Sequence, residues 1–595
     1  MISLTFSRAI PPFFVTQTLL FLLLLIASDK KANNNGLRIP GKISSLIASS
    51  LYIILVLGNA LTILGGFRYS FAYNIVVTTT PAILILLLAT TPPPKRLFAL
   101  MLLWHTMLLG LEAPLDMLSI TEGVHMTRTM AIYGRWIPEL AHNPSYNPFP
   151  TMAFIRTALS YVTGIPWFHW FLAFAILIVV ALAFDLAVLT LTLKITSDYR
   201  IALLAVIVGA LTPYLLVTGH AYQVPANIMW LLSVSLLIKA LRAYKKSDII
   251  PIALLYLSSI LTHTTAYIVM VFPLILVLAN RLIKSDQNIR EGYSRLMKIV
   301  IPTFLVMGIF RVVYEELYVR YIYKIGYGGV LELVNKIFAI LIGKESLEDF
   351  KFSLYDFGGI PFYQAFLWAL TASLASAALL YCVIKRRALN VILFTFFLTA
   401  SLFIALGYLQ ATFVKITTQQ YRSVYVSFSL LVPLAAIAVG KIISSRNKYL
   451  IVVVLAVFVV SSFLALRDPE ISTIYRLKAR GIPPEVLYMQ PTQGDIIKAS
   501  IIIDFAKDLN IINFLAFYSS SSVRFERVTT YGHRTSMTYT KLSDAICKVL
   551  YIHGYTVGDL PAVNINVVEP DKVGEDIIFK SLALNFGEDL VLSMP

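Results

Sequence analysis

Charged residues are scarce in this sequence, and their scarcity excludes an ordinary soluble protein. Only 14% of the 595 residues are charged and 58% are hydrophobic, whereas a soluble globular chain is about a quarter charged. The apolar stretches are continuous runs of Leu, Ile, Val, Phe and Ala. Such runs predict membrane-spanning helices, because the strands of a membrane β-barrel would alternate polar and apolar residues.

Cysteines and phosphate-binding motifs are also rare or absent. The two cysteines, Cys382 and Cys547, are too few for a disulfide framework or a Cys-rich metal site. The sequence contains no Walker-type glycine loop, and therefore no sign of ATP-driven transport. The net charge of +17 does not indicate nucleic acid as a partner, because the cations sit in loops between apolar runs, where topology requires them.

The apolar runs predict a polytopic all-α membrane protein. The first run, 10–28, lacks a small-residue cleavage site and is followed by Lys30 and Lys31, so we expect a retained span and not a signal peptide. We predict about 14 spans by the length criterion, at 10–28, 43–65, 76–92, 95–112, 167–193, 200–218, 224–242, 249–262, 264–283, 297–314, 361–384, 389–409, 422–440 and 448–466.

Loop charges predict the orientation of these spans. Basic clusters such as Lys30–Lys31 and Lys385–Arg387 fall in every second loop, which the positive-inside rule makes cytoplasmic. The chain is therefore expected in the cell membrane with its N-terminus outside. The other external segments are then the loop 113–166, the turns 219–223 and 263, the loop 315–360 and the tail 467–595.

The tail differs in character from the rest of the chain. Helix-like stretches such as Asp495–Leu509 alternate there with strand-like stretches such as Val523–Thr530 and Ala562–Val568. This alternation predicts a small extracytoplasmic α/β domain.

An acidic loop follows the fourth predicted span and carries the first candidate site residues. Asp116 lies just beyond the apolar run, and Glu122 and His125 share one face if 117–133 forms an interfacial helix. A carboxylate near hydrocarbon could serve as a general base. The alternative is an amphipathic helix whose charges only face water.

Other polar residues are predicted on the same membrane face. His220, Gln223 and His263 lie at external turns, and histidines at span ends are also ordinary interface residues. Three external cations are not required for topology and could grip phosphate oxygens: Arg311, Lys415 and Arg422. Ion pairs with Glu315, Glu316 or lipid headgroups are the alternative.

This layout resembles the GT-C superfamily of membrane glycosyltransferases over roughly 95–466. The resemblance rests on an acidic loop after a span and on several short motifs. They are Gly134-x-x-Ile137-Pro138, Tyr146-Asn147-Pro148-Phe149-Pro150 before Thr163-Gly164, Leu261-Thr262-His263-Thr264, and Tyr421-Arg422-Ser423-Val424-Tyr425.

The resemblance implies an inverting enzyme that moves a sugar from a polyprenyl-phosphate donor to an external acceptor. The acceptor could be a glycan, a lipid or a protein. Asp116 would be the catalytic base, with Glu122 and His125 as further candidates, and Arg422, Arg311 or Lys415 would bind the donor phosphate. His220, Gln223, His263 and Tyr421 would line the cavity.

The sequence also departs from that family. The Trp-Trp-Asp-Tyr-Gly motif of its oligosaccharyltransferase branch and the Asp-x-Asp metal motif are absent, so we expect a metal-free mechanism like that of the protein mannosyltransferase branch, with no cofactor. The spans before residue 95 are additional. Three parts are thus predicted: 1–94, 95–466 and 467–595.

Two other functions remain open at this stage. A transporter or flippase would need ionisable groups at mid-membrane, and Asp185 is the one mid-span carboxylate, which argues against a proton relay. A catalytically inactive GT-C-like scaffold is the other interpretation.

Overall fold

The computed structural model describes most of the predicted membrane region and isolated strands near the C-terminus. The described residues are 2–29, 39–63, 70–90, 96–109, 130–131, 134, 151–165, 170–211, 223–242, 246–262, 272, 275–280, 305, 309, 338–339, 342, 362–385, 391–414, 417–445, 447–479, 501, 515–519, 523–528, 534–539, 566–567, 582–585 and 589–593. The structural statements below concern these residues.

Thirteen α-helices make up most of the described chain. They are α1 (Ile2–Ala27), α2 (Gly41–Ile63), α3 (Phe71–Thr90), α4 (Leu97–Leu109), α5 (Thr151–Thr163), α6 (Trp170–Thr196), α7 (Tyr199–Leu211), α8 (Gln223–Arg242), α9 (Ile249–Thr262), α10 (Phe362–Ile384), α11 (Val391–Val414), α12 (Thr417–Ser444) and α13 (Lys448–Ala479). A short 3₁₀ turn, Lys246–Asp248, precedes α9.

The chain is a helical membrane protein by the length and apolar character of these helices. Six helical segments are long and apolar enough to cross a bilayer: Gly41–Thr62, Phe71–Thr90, Ile178–Thr196, Val224–Leu241, Ser427–Ser444 and Lys448–Leu466. Six shorter apolar segments coincide with further predicted spans. The predicted spans 264–283 and 297–314 lie outside the described residues apart from short pieces, so the count of 14 stays a prediction, as does the orientation.

The exposed surface of these helices is apolar, as contact with lipid requires. On α2, Leu46 is 67% exposed and Ile53 is 58% exposed. Large side chains fill the inner side, and Trp104, Trp230 and Phe184 are almost completely buried. Apolar groups thus face both inward and outward, which distinguishes a membrane bundle from a soluble one.

The chain divides into two compact units, which are described separately. One comprises 1–112 and 176–469, and the other comprises 113–175 and 470–595. The first unit holds α1–α4, nearly all of α6, α7–α12 and most of α13. The three predicted parts with borders at 94 and 466 remain predictions.

Two strand groups lie in the second unit. The strands β1 (Leu515–Ser519), β4 (Asn566–Val567), β5 (Leu582–Asn585) and β6 (Asp589–Ser593) form a sheet in the order β4-β1-β6-β5. β1 is parallel to β4 and antiparallel to β6. The strands β2 (Val523–Val528) and β3 (Arg534–Tyr539) pair as an antiparallel hairpin. The strand-like stretch Val523–Thr530 contains β2, while the separate external α/β domain stays a prediction.

Glycines allow α7 to approach its neighbours closely. A Cβ atom on Gly440 of α12 would lie 3.0 Å from Ile201 Cγ1, and one on Gly209 of α7 would lie 3.4 Å from Phe184 Cε1 of α6. Small residues at such crossings let helix backbones meet in membranes, where packing contributes much of the association energy.

We expect Gly440→Leu to destabilise the protein by about 1–3 kcal/mol, because the added side chain overpacks the α7–α12 contact. The measurement is the free energy of unfolding in mixed micelles. Gly41→Leu is the matched control, since nothing lies within 4 Å of a Cβ atom there. Equal stability of the two variants would show that the α7–α12 approach is not tight in the folded protein.

Candidate functional site

Most of the predicted site residues lie outside the described part of the chain. These are Asp116, Glu122, His125, His220, His263, Arg311 and Lys415. Gln223 begins α8, and Tyr421 and Arg422 lie in the first turns of α12, where the backbone is described. The assigned roles therefore stay predictions, and the helices that carry Gln223, Tyr421 and Arg422 are where structure bears on them.

A buried histidine–aspartate pair joins α4 and α6. His105 Nδ1 and Asp185 Oδ2 are 2.8 Å apart, and both side chains are completely buried. His105 lies about 12 Å along the helix axis from the start of α4, and Asp185 about 16 Å from the end of α6. Since the hydrocarbon core is roughly 30 Å thick, the pair lies near its middle if these helices span it.

Each member of this pair has a second polar atom without a partner. His105 Nε2 and Asp185 Oδ1 make no hydrogen bond to any described residue. Buried polar atoms are nearly always paired in folded proteins, so an exception calls for a physical reason. One proton can lie between Nδ1 and Oδ2, and the free atoms leave one further hydrogen-bonding position on each side of the pair.

The helix α4 is held in one rotation by three successive residues. Trp104 Nε1 donates to the carbonyl of Val77 in α3 at 2.8 Å, and Thr106 Oγ1 donates to Asn59 Oδ1 in α2 at 2.7 Å. His105, between them, reaches α6. Successive helical residues point about 100° apart, so three neighbours in sequence address three different helices. The His105 ring is consequently held towards α6.

A second buried polar contact joins the helices that carry Gln223 and Arg422. Ser429 Oγ of α12 lies 3.2 Å from Asn227 Oδ1 of α8 and can donate to it. Both side chains are almost completely buried. Because Asn227 accepts this bond through its oxygen, its Nδ2 amide remains a donor, and it has no partner among the described residues.

Trp230 adds a second unpartnered donor on the same face of α8. Asn227 and Trp230 are three residues apart, one helical turn, and so share a face. The indole Nε1 of Trp230 is buried without a hydrogen-bond partner in the described structure. Its ring packs edge-on against Phe272 with centroids 6.1 Å apart. Two buried N–H donors therefore lie along one helix face, within about 11 Å of the start of α8.

Depth along the helices relates this contact to the predicted site. Gln223 precedes Asn227 by about 6 Å of helix rise, and Arg422 precedes Ser429 by about 10 Å. In the orientation predicted from the loop charges, α8 and α12 run in the same direction. Their starts then lie at similar depths beside the Asn227–Ser429 contact.

A charged cluster ties three helices together at the opposite predicted face. Asp29, just after α1, accepts from Tyr381 at 2.5 Å and pairs with Lys385 at 3.0 Å and Lys441 at 3.1 Å. The hydrogen bond from Tyr381, together with the two ammonium groups, holds the pKa of the Asp29 carboxyl below its usual range, although partial burial acts in the opposite sense. The carboxylate thus stays ionised and keeps the ends of α1, α10 and α12 together.

Sequence analysis did not single out His105, Asn227, Trp230 or Ser429. The run Trp104-His105-Thr106 inside a predicted span was a usable signal, since ionisable groups are rare in membrane helices. Nothing in the sequence paired His105 with Asp185, because the partner depends on the neighbour and rotation of each helix. Among the described residues, no group of three or more His, Cys, Asp or Glu side chains could hold a metal ion.

Comparison with known proteins identifies no relative for this chain. No protein-family model matches the sequence, and no curated protein matches it. The resemblance to GT-C glycosyltransferases therefore stays a prediction from motifs and layout.

Proposed function

We propose that this protein is a membrane glycosyltransferase that moves a sugar from a polyprenyl-phosphate donor to an acceptor on the outer membrane face. Asp116 takes a proton from the acceptor hydroxyl or amide as that group attacks the sugar. Arg422 stabilises the negative charge that develops on the departing phosphate. The polyprenyl phosphate leaves, and the sugar is joined to the acceptor with inversion.

The Asn227–Ser429 contact is the observation that best supports this proposal. It joins α8 and α12, whose first turns carry Gln223, Tyr421 and Arg422. A phosphate held by Arg422 would lie near the membrane surface, with its sugar towards the start of α8. The unpartnered N–H groups of Asn227 and Trp230 provide donors below that level, suited to sugar hydroxyls or a water molecule that bridges to them.

Arg422→Gln is expected to lower sugar transfer about 10²-fold, the loss typical of removing one group that stabilises a developing negative charge. The assay uses the full chain in liposomes, polyprenyl phosphates with radiolabelled hexoses, and a membrane extract as the acceptor source. Arg290→Gln is the matched control, because the same charge is removed from a predicted cytoplasmic loop. Equal activities in the two variants would remove Arg422 from the site, and no transfer from any donor by the unaltered protein would refute the proposed function.

A second candidate function, a proton-coupled transporter or flippase, is favoured by the His105–Asp185 pair. The sequence offered Asp185 alone, which is a weak basis for a relay, whereas the structure places an imidazole 2.8 Å away. Ionisable pairs at mid-membrane commonly carry protons or substrate ions. Transport would require the pair to bind and release a proton, while glycosyl transfer requires only that it hold α4 against α6.

A further inference from the structure

An apolar groove lies between α1, α10 and α11, away from the contacts described above. Its volume is about 480 Å³, and its lining includes Thr18 and Leu19 of α1, Ser376 and Val383 of α10, and Phe394 and Phe397 of α11. Thr18 bonds the carbonyl of Phe14 in its own helix at 2.8 Å, so its hydroxyl is satisfied internally. The groove therefore presents an almost wholly apolar surface.

The groove opens towards lipid and is of a size that holds a ligand. Leu19 is 52% exposed and Val383 is 58% exposed, and ligand pockets commonly measure about 300–1,000 Å³. Close packing is the rule inside proteins, and an apolar gap of this size within hydrocarbon has no reason to hold water. An apolar chain is the occupant that restores the lost contacts.

Positive charge lies at one end of the groove. Val383 lines it, and Lys385 follows about 3 Å further along the axis of α10. Lys385 and Lys441 both pair with Asp29, which leaves the cluster with a net charge of +1. Their side chains remain 37% and 35% exposed, and each ammonium has three N–H groups. The cluster can thus bind an anion while keeping its internal ion pairs.

We infer that the groove binds one anionic phospholipid, with an acyl chain between α1, α10 and α11 and its phosphate against Lys385 and Lys441. The apolar groove with a cationic end matches the two halves of such a lipid. Basic residues at the cytoplasmic ends of spans favour anionic headgroups in general, and Arg386 and Arg387 follow Lys385 directly in sequence. This inference does not depend on glycosyl transfer; it requires only insertion in a bilayer.

Native mass spectrometry of the full chain tests this site. The protein is released from nanodiscs containing equal amounts of phosphatidylglycerol and phosphatidylcholine, and we expect retained phosphatidylglycerol to exceed phosphatidylcholine about 10-fold. The double variant Lys385→Gln/Lys441→Gln should reduce that preference about 10-fold, because two headgroup contacts are lost. Lys194→Gln/Lys239→Gln is the charge-matched control and should keep it.

A second variant tests the groove without altering the charged cluster. Ser376→Phe fills the space between α10 and α11 and should abolish lipid retention, whereas Val179→Phe, on an exposed face of α6, should not. Equal retention of both lipids by the unaltered protein would overturn the site, as would equal losses in the lysine variant and its control. Displacement of phosphatidylglycerol by equimolar polyprenyl phosphate would overturn the assigned occupant and give the groove to the sugar donor.

Discussion

Asp116→Asn is expected to reduce sugar transfer about 10³-fold, the middle of the range for loss of a general base. The amide has nearly the shape of the carboxylate but cannot accept the acceptor's proton. The substitution also leaves donor binding intact, since the phosphate is assigned to Arg422. We therefore expect the loss in kcat, with the KM for the polyprenyl-phosphate donor little changed.

The Asp116 measurement needs a control that removes one carboxylate elsewhere. Asp286→Asn serves, because Asp286 lies in a predicted cytoplasmic loop on the other side of the membrane. Glu122→Gln and His125→Asn test the two other candidates in the same loop. If Asp116→Asn retains full activity while Glu122→Gln or His125→Asn abolishes it, the base has been assigned to the wrong residue.

Single substitutions in the His105–Asp185 pair are expected to destabilise the protein by about 3–5 kcal/mol, the loss typical when one partner of a buried pair is removed. His105→Leu leaves Asp185 in the bundle with no partner, and Asp185→Leu does the same to His105. The double variant should recover most of that loss, because two apolar side chains need no partner. The measurement is a double-mutant cycle on the free energy of unfolding in mixed micelles.

An exposed ion pair provides the comparison for this cycle. Lys239 and Asp248 are 3.1 Å apart, and the lysine side chain is 40% exposed. Lys239→Leu should change stability by about 1 kcal/mol or less. Losses of that size in His105→Leu would mean that the buried pair is hydrated or loosely held in the membrane.

The same double variant separates the two candidate functions. If the pair only holds α4 against α6, the folded double-leucine protein should still transfer sugar. If the pair carries a proton, the protein should fold and yet lose proton-coupled transport in liposomes. Folding and function are read independently, so the two roles give different results.

Much of the membrane region was predictable from sequence because hydropathy and length are local properties. The spans 224–242 and 448–466 coincide with α8 and the first part of α13, since a helix that satisfies its own backbone in lipid is specified by its own residues. The helix expected before Thr163-Gly164 is α5, and Gly164 takes the left-handed conformation that commonly ends a helix. Orientation and the roles in the acidic loop remain predictions.

The sequence by itself determined that this is a helical membrane protein, because a long uncharged run is stable only where water is absent. Tertiary structure alone decided which polar residues meet: His105 with Asp185, Asn227 with Ser429, and Asp29 with Lys385 and Lys441. Each contact joins helices far apart in the chain, and it depends on their rotation and crossing. Apolar periodicity does not specify rotation when a helix is apolar on every side, so only the packed bundle determines these partners.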